Sequence, residues 1–236
     1  MLLLPILVLA VCLGVCNWAA SRYQTMLQEA GREKAPTAHT GAEIAQLFLN
    51  YQGAEGVEIM EHAGVITNYY EPRRRRLFLA PTVAAGTSLA DWTLALHEAG
   101  HAAAEGEETD DLKWRQTVIK LCRYAPMLAL ILALGAMILL KMPGRFILIG
   151  LPAICFILLL LNLGTLSEEF RANRRLSRFL DKHLNRNPAA RQTLEEHLRR
   201  AAMREVGDLI SSPRYFFLSA IPGTGMARPS GRPKTG

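Results

Sequence analysis

Two histidines and a glutamate near the middle of the chain have the residue types and the spacing to hold a metal ion. His97, Glu98 and His101 form the pattern H-E-x-x-H. On a helix, a spacing of four residues places both imidazoles on one face, one turn apart. Zinc accepts imidazole nitrogens readily and keeps one position open for water in its catalytic sites. The pattern therefore predicts zinc ligands at His97 and His101, with Glu98 as the general base for that water.

A catalytic zinc site needs a third protein ligand. The acidic pair Glu168 and Glu169 follows the last apolar stretch, where the returning chain would come near the H-E-x-x-H helix. Glu168 also fits a capping box with Thr165, so Glu169 is freer to bind metal. The remaining histidines stay open as alternatives: His39, His62, His183 and His197.

The helix that carries the motif must position these groups. Ser88 and Asp91 predict a capping box at its start, and we expect the helix to run to about Glu105. Its last turns are rich in alanine and glycine, which favours close packing against another element. The alternative is an amphipathic helix with two surface histidines and no metal.

The other polar segments predict a mostly helical α+β domain. Thr40 and Glu43 form a second capping box, which opens a short helix that ends near Gly53. The runs 57–60, 65–70 and 77–79 are rich in β-branched and aromatic residues, which favours a small antiparallel sheet or hairpin. Helices are also expected at 166–184 and after Asn187-Pro188, the latter with an apolar face that extends to Leu209.

Three stretches are long and apolar enough to cross a bilayer: residues 1–20, 124–140 and 146–166. Only a short Pro-Gly turn separates the last two, which predicts a transmembrane helical hairpin. The first stretch is interpreted as an uncleaved anchor, because it lacks the positive start of a signal peptide. A cleaved signal peptide and a lipoprotein site at Cys16 are the alternatives.

Charge and composition fit a membrane protein. Half of the residues are hydrophobic, yet the net charge is +6, and basic residues flank the spans. Because the 141–145 turn carries only Lys141 and Arg145, the positive-inside rule predicts that the large polar segments face the cytoplasm, across a bacterial inner membrane. The predicted partners are the lipid bilayer and a protein or peptide substrate, with no nucleic acid. The four cysteines form no C-x-x-C pair and are interpreted as buried thiols.

The chain therefore divides into five predicted segments. They are an N-terminal anchor (1–20), a catalytic region (21–123), a transmembrane hairpin (124–166), a helical region that carries the third ligand (167–221) and a disordered tail (222–236). The tail is rich in glycine, proline and basic residues and has too little apolar content to order itself.

Four segments together resemble the YugP-type zinc-dependent membrane peptidases. They are TGAEIA at 40–45, NYYEPRR at 68–74, HEAGHA at 97–102 and EFRANRR at 169–175. Their order and approximate spacing match that family. The resemblance implies a membrane-anchored, zincin-like α+β domain with Zn²⁺ as cofactor, and it places the third zinc ligand on Glu169.

Two further residues are candidates for supporting roles. Asn173 follows Glu169 by one helical turn, so its amide could orient a ligating histidine, although a solvated asparagine is the alternative. Tyr70 could stabilise the oxyanion that forms during peptide hydrolysis, although it could also simply pack in a strand. The predicted function is a zinc-dependent membrane endopeptidase.

Two other functions fit the same residues. One is an HtpX-like or CAAX-type membrane metalloprotease, which would use the same chemistry. The other is a non-catalytic membrane scaffold with a structural metal site. Glu98 distinguishes the scaffold, since a structural site needs no base and closes the fourth position of zinc with a protein ligand.

Overall fold

The computed structural model describes residues 3–63, 67–104, 108–219 and 228–229. The chain is mostly helical, with a small sheet and three helices that are long and apolar enough to cross a membrane, which confirms the predicted fold class. The helices are α1 (Leu3–Arg32), α2 (Gly41–Tyr51), α3 (Pro81–Ala85), α4 (Leu89–Ala102), α5 (Glu108–Leu139), α6 (Gly144–His183), α7 (Pro188–Ala201), α8 (Arg204–Asp208) and α9 (Ser212–Ser219), with a 3₁₀ turn at Leu209–Ser211. The strands are β1 (Glu58–Glu61), β2 (Tyr69–Glu71), β3 (Arg76–Leu79) and β4 (Arg228–Pro229).

The described residues form two compact units. The first, called the membrane unit, comprises residues 3–23, 114–166 and 203–219. The second, called the polar unit, comprises the described residues within 24–113 and 167–202, together with 228–229. Helices α1, α5 and α6 contribute to both units, because each continues past the end of its apolar stretch.

The apolar stretches of α1, α5 and α6 dominate the membrane unit. Only 6% to 22% of the residues in their most apolar stretches are buried inside the protein. Lipid accounts for this exposed apolar surface, since a bilayer core accepts helices of about 20 apolar residues. The buried side chains form one cluster: Cys12, Cys16, Ala19, Val118, Cys122, Leu158, Leu159, Val206 and Leu209.

A buried ion network joins α5, α6 and α8 in the membrane unit. The Nη2 atom of Arg123 lies 3.1 Å from Oε2 of Glu205 and 3.0 Å from Oδ2 of Asp208. The Asn162 amide donates to the Glu205 carbonyl at 2.6 Å, and the Tyr215 hydroxyl donates to Asp208 at 2.6 Å. Buried charges are tolerated when they are paired in this way. The network therefore fixes α8 against the membrane helices.

The predicted C-terminal helix is divided into two. Asn187 caps α7 as expected, since its side chain accepts from the Ala190 amide at 3.1 Å. The chain then turns at Ala202 and Met203 before α8 begins. Helix α8 packs directly on α1, where a Cβ atom on Gly207 would lie 2.7 Å from the Cα of Ala20. This close contact requires glycine at position 207.

The predicted break at Thr165 is wrong, because α6 is continuous from Gly144 to His183. The Thr165 hydroxyl donates to the Asn162 carbonyl at 2.7 Å inside the helix, so Thr165 does not cap a new one. Glu168 instead forms an ion pair with Arg171. No glycine or proline follows Gly164 in this helix, so nothing in the sequence ends it at the membrane surface.

The small sheet is mixed, which corrects the prediction of an antiparallel sheet. β2 pairs antiparallel with β3, as in a hairpin, but β1 pairs parallel with the other edge of β3, with Glu58 opposite Arg76. β3 is buried and central, so both of its edges are paired. β1 runs parallel to it. Of the predicted 65–70 run, only residues 69 and 70 lie in β2, and residues 65 and 66 lie outside the described residues. The predicted disordered tail also lies outside them, except for β4, which pairs antiparallel with β1.

Two capping boxes fix the helices at the centre of the polar unit, as predicted. The Thr40 amide donates to Glu43 at 2.8 Å, and the Glu43 amide donates back to the Thr40 hydroxyl at 3.3 Å. Ser88 and Asp91 form the same pair of bonds at the start of α4, at 3.0 and 3.2 Å. Each box satisfies amides that a helix start leaves without partners. The bonds between Ser88 and Asp91 therefore fix the residue at which α4 begins, and with it the face of the helix that carries His97 and His101.

We predict that Gly100→Ala destabilises the polar unit. A Cβ atom at this position would lie 2.8 Å from the carbonyl oxygen of Ala172, so α4 and α6 would have to separate. Overpacking of this kind costs about 1–3 kcal/mol. Thermal unfolding of the purified protein measures the effect. Gly31→Ala in α1 is the matched control, since nothing lies within 4 Å of a Cβ there, and it should leave stability unchanged or slightly raised.

Candidate metal centre

The H-E-x-x-H motif lies in the buried second half of α4. His97, Glu98 and His101 are 3%, 1% and 1% exposed. The two imidazole rings are 5.1 Å apart and nearly perpendicular, as expected for ring pairs one helical turn apart. Surface histidines on an amphipathic helix would be solvated, so the burial argues against that alternative.

Helix α6 brings Glu169 to the two histidines. Its Oε2 atom lies 3.0 Å from Nε2 of His97 and 3.1 Å from Nε2 of His101, and the residue is fully buried. Among the described residues, these three side chains form a group whose donor atoms all lie within 4.8 Å of one another. The structure therefore brings together the three predicted ligands.

The donor set and its spacing fit a zinc ion. Two imidazole nitrogens and one carboxylate oxygen are a common catalytic zinc set. Ligand atoms about 2.1 Å from a tetrahedral ion are about 3.4 Å apart, which is close to the separations between Glu169 and each histidine. Three protein ligands would leave the fourth position of a tetrahedral ion open. A catalytic site requires such an open position for water or substrate.

Asn173 lies between His97 and α7 and contacts both. The Asn173 side chain donates from Nδ2 to the Leu198 carbonyl at 2.8 Å, which turns its Oδ1 atom toward Nδ1 of His97 at 3.2 Å. In this arrangement Oδ1 of Asn173 can accept a hydrogen bond from Nδ1 of His97, which would leave Nε2, beside Glu169, to bind a metal. Such outer hydrogen bonds fix the tautomer and the ring plane of a ligating histidine.

Two contacts of side chains with main-chain carbonyls near the site had no signal in the sequence. The Leu198 carbonyl belongs to α7, a helix whose role at the site was not predicted. Arg175 donates from Nη1 to the Gly100 carbonyl at 2.9 Å, which ties α6 to the last turn of α4. Any residue type has a main-chain carbonyl, so the sequence does not indicate which carbonyl a side chain such as that of Arg175 will bind.

Tyr70 lies in β2, with its side chain buried. Burial raises the pKa of its hydroxyl, and the charge and hydrogen bond of nearby Arg75 oppose that shift. The hydroxyl therefore stays protonated at neutral pH and interacts with the β2–β3 turn. Its predicted role as an oxyanion donor stays a prediction.

The alternative ligands occupy other surroundings. His39 lies 3.9 Å from Glu43, His62 packs against the ring of Phe78, and His183 packs against Phe179. His197 is buried in α7, where burial lowers its pKa. Within the described chain, the group that gathers around His97 and His101 contains none of these four histidines.

Comparison with known proteins gives two matches. Residues 5–216 match the profile of a protein family described as "Putative neutral zinc metallopeptidase". The chain is also 31% identical over 169 residues to a Bacillus subtilis (strain 168) protein named "Putative membrane protease YugP", and this region covers 71% of the chain and 73% of the relative. No solved structure matches the chain.

We predict that Asn173→Ala lowers the affinity for Zn²⁺ about 10- to 100-fold, because His97 loses the bond that fixes its tautomer. Competition for zinc against a chelator of known affinity measures the loss. Asn173→Asp keeps an acceptor and should retain more of the affinity. Asn50→Ala, an exposed asparagine on α2, is the matched control. Native zinc affinity in Asn173→Ala would show that the amide has no such role.

Proposed function

This chain belongs to the YugP-type family of neutral zinc metallopeptidases, as its sequence suggested, and we propose that it is a zinc-dependent membrane endopeptidase. In this proposal His97, His101 and Glu169 bind one Zn²⁺ ion. The observation that carries the proposal is the buried convergence of these three donors next to Glu98. A glutamate directly after the first ligating histidine is the general base in metallopeptidases with this motif.

The protein residues around the ion carry the proton transfers. A bound zinc ion lowers the pKa of water and polarises the scissile carbonyl. Glu98 accepts a proton from the attacking water and later delivers it to the leaving amine. Burial of Glu98 suits this exchange, because a carboxylate shielded from bulk solvent keeps the proton near the reacting atoms.

Positioning residues complete the proposed mechanism. Asn173 holds the imidazole of His97 in the tautomer that frees Nε2. Tyr70 is retained as a candidate oxyanion donor, since a protonated hydroxyl can donate to a developing negative charge. Comparing kcat for Tyr70→Phe with the native enzyme tests that role separately.

We also propose that the polar segments face the cytoplasm of a bacterial inner membrane. Basic residues follow the apolar stretches of α1 and α6 and precede that of α5, whereas the connection between α5 and α6 carries only Lys141 and Arg145. The positive-inside rule places the side with more basic residues in the cytoplasm. The relative from Bacillus subtilis is a named membrane protease, which agrees with a bacterial membrane.

The function is tested by separating metal binding from catalysis. We expect the purified native protein to hold about one zinc ion per chain and to cleave an unfolded protein such as casein. Glu98→Gln should retain zinc but lose about 10²- to 10⁴-fold in kcat, because the amide cannot accept the proton. Glu169→Ala should lose both zinc and cleavage. Zinc content and the rate of casein cleavage are the two measurements.

Glu55→Gln is the matched control, because this glutamate is exposed. It should keep native zinc content and activity. Zinc bound with native affinity in Glu169→Ala would remove Glu169 from the ligand set. A protein that binds zinc through all three residues yet cleaves nothing in either the native form or Glu98→Gln would favour a membrane scaffold with a structural metal site.

A further inference from the structure

A basic cavity lies between α6 and the end of α2 in the polar unit. It has a volume of about 610 Å³ and is lined by Tyr51, Gln52, Arg171, Arg174, Arg175 and Arg178. The arginines follow the spacing i, i+3, i+4 and i+7, so they share one face of α6. The volume falls in the range of about 300–1,000 Å³ that ligand sites occupy. We call this cavity the arginine pocket.

The arginine pocket holds more positive charge than its neighbours offset. Arg171 is paired with Asp111 at 2.9 Å and with Glu168. Within the described residues, however, Arg174 and Arg178 have no acidic partner, and both are exposed. Lys182 adds a further charge next to the pocket, 5.3 Å from the ring centre of Tyr51. The pocket is therefore suited to an anion.

The pocket follows directly after a membrane span. The apolar stretch of α6 ends at Leu166, and the arginines occupy the next three turns of the same helix. At 1.5 Å per residue, Arg171 to Arg178 lie about 8–18 Å along the helix from Leu166. Side chains on a helix point toward its N-terminus, which here is the apolar end, and arginines reach farther by snorkelling. Arginines at these positions therefore suit contact with lipid headgroups.

We propose that the arginine pocket binds the phosphate of an anionic phospholipid headgroup. Guanidinium groups match phosphate oxygens with paired hydrogen bonds, and several of them on one face can surround one phosphate. Basic clusters beside a span are attracted to anionic lipids at the membrane surface. Tyr51 also lines the pocket, and a tyrosine hydroxyl is an uncharged donor that suits a headgroup.

An acidic substrate segment fits the pocket less well, because the pocket and the metal centre use different faces of α6. At about 100° per residue, Arg174 and Arg178 lie about 140° and 180° around the helix from Glu169. A peptide bound at His97 and His101 would have to pass around the helix to reach them. A lipid beside the membrane span would not have to pass around the helix to reach these arginines.

The test uses the full-length protein in a neutral detergent, titrated with phosphatidylglycerol or phosphatidylcholine. Binding to the folded state raises the unfolding temperature, and the dependence on lipid concentration gives an apparent Kd. We expect phosphatidylglycerol to stabilise the native protein and phosphatidylcholine to have little effect. In Arg174→Gln combined with Arg178→Gln, the affinity for phosphatidylglycerol should fall roughly thirty-fold.

The control is Arg186→Gln combined with Arg199→Gln, which removes the same charge from two other exposed arginines of the polar unit. It should keep native lipid affinity. Both double variants should retain native zinc content and native unfolding temperature without lipid, since all four side chains are exposed. Failure of the peptidase proposal would leave these lipid measurements unaffected.

Three results would overturn the proposal. One is native affinity for phosphatidylglycerol in the Arg174 and Arg178 variant. Another is equally tight binding of glycerol phosphate or inorganic phosphate, which would make the pocket a site for a soluble anion. The third is binding of an acidic peptide that depends on these arginines while phosphatidylglycerol gives no stabilisation.

Discussion

The contact of one fully buried carboxylate with two buried imidazoles is the interaction on which the polar unit depends. Glu169 comes from α6 and the histidines from α4, and Glu169 follows His101 by 68 residues in the chain. An isolated carboxylate in a protein interior is strongly unfavourable unless a positive charge or a metal compensates it. Imidazoles bind a metal in their neutral form, which would leave the carboxylate with one uncompensated negative charge, and a divalent cation would offset that charge. The cost of burying Glu169 is therefore an argument for a metal that is independent of the H-E-x-x-H pattern.

To bring these groups together, α4 and α6 must approach until their main chains are in contact. Gly100 makes this possible, because its missing Cβ gives the Ala172 carbonyl room. Arg175 then bonds to the Gly100 carbonyl, and Asn173 connects His97 to α7. On α6 these contacts lie within two turns of Glu169. The metal centre is thus held by short-range contacts that also stabilise the helix pair.

The parts that sequence predicted well are those determined by local spacing. The capping box of Ser88 and Asp91 sets the start of α4, and the spacing of His97 and His101 then sets their common face. The assignment of Glu169 needed the family resemblance, since residue spacing alone also left Glu168 and four histidines open. The parallel pairing of β1 with β3 was missed, because strand order depends on contacts between distant residues. The extent of α6 was missed because a change from apolar to polar residues does not end a helix when no glycine or proline interrupts the polar part.

Helix α6 places its two kinds of functional side chain on different faces, and electrostatics gives a reason for this. Glu169 and Asn173 are one turn apart and face α4, whereas Arg174 and Arg178 point away from them. Guanidinium groups next to a divalent ion would repel it and weaken its binding. On the opposite face they are separated from the ion by the helix itself, and solvent ions screen charges over about 10 Å. Arg175 lies at the boundary between the faces, and its hydrogen bond directs it to the carbonyl of Gly100, so its charge offsets the negative end of α4. One helix can therefore carry a candidate metal ligand and a strongly basic surface without the second weakening the first.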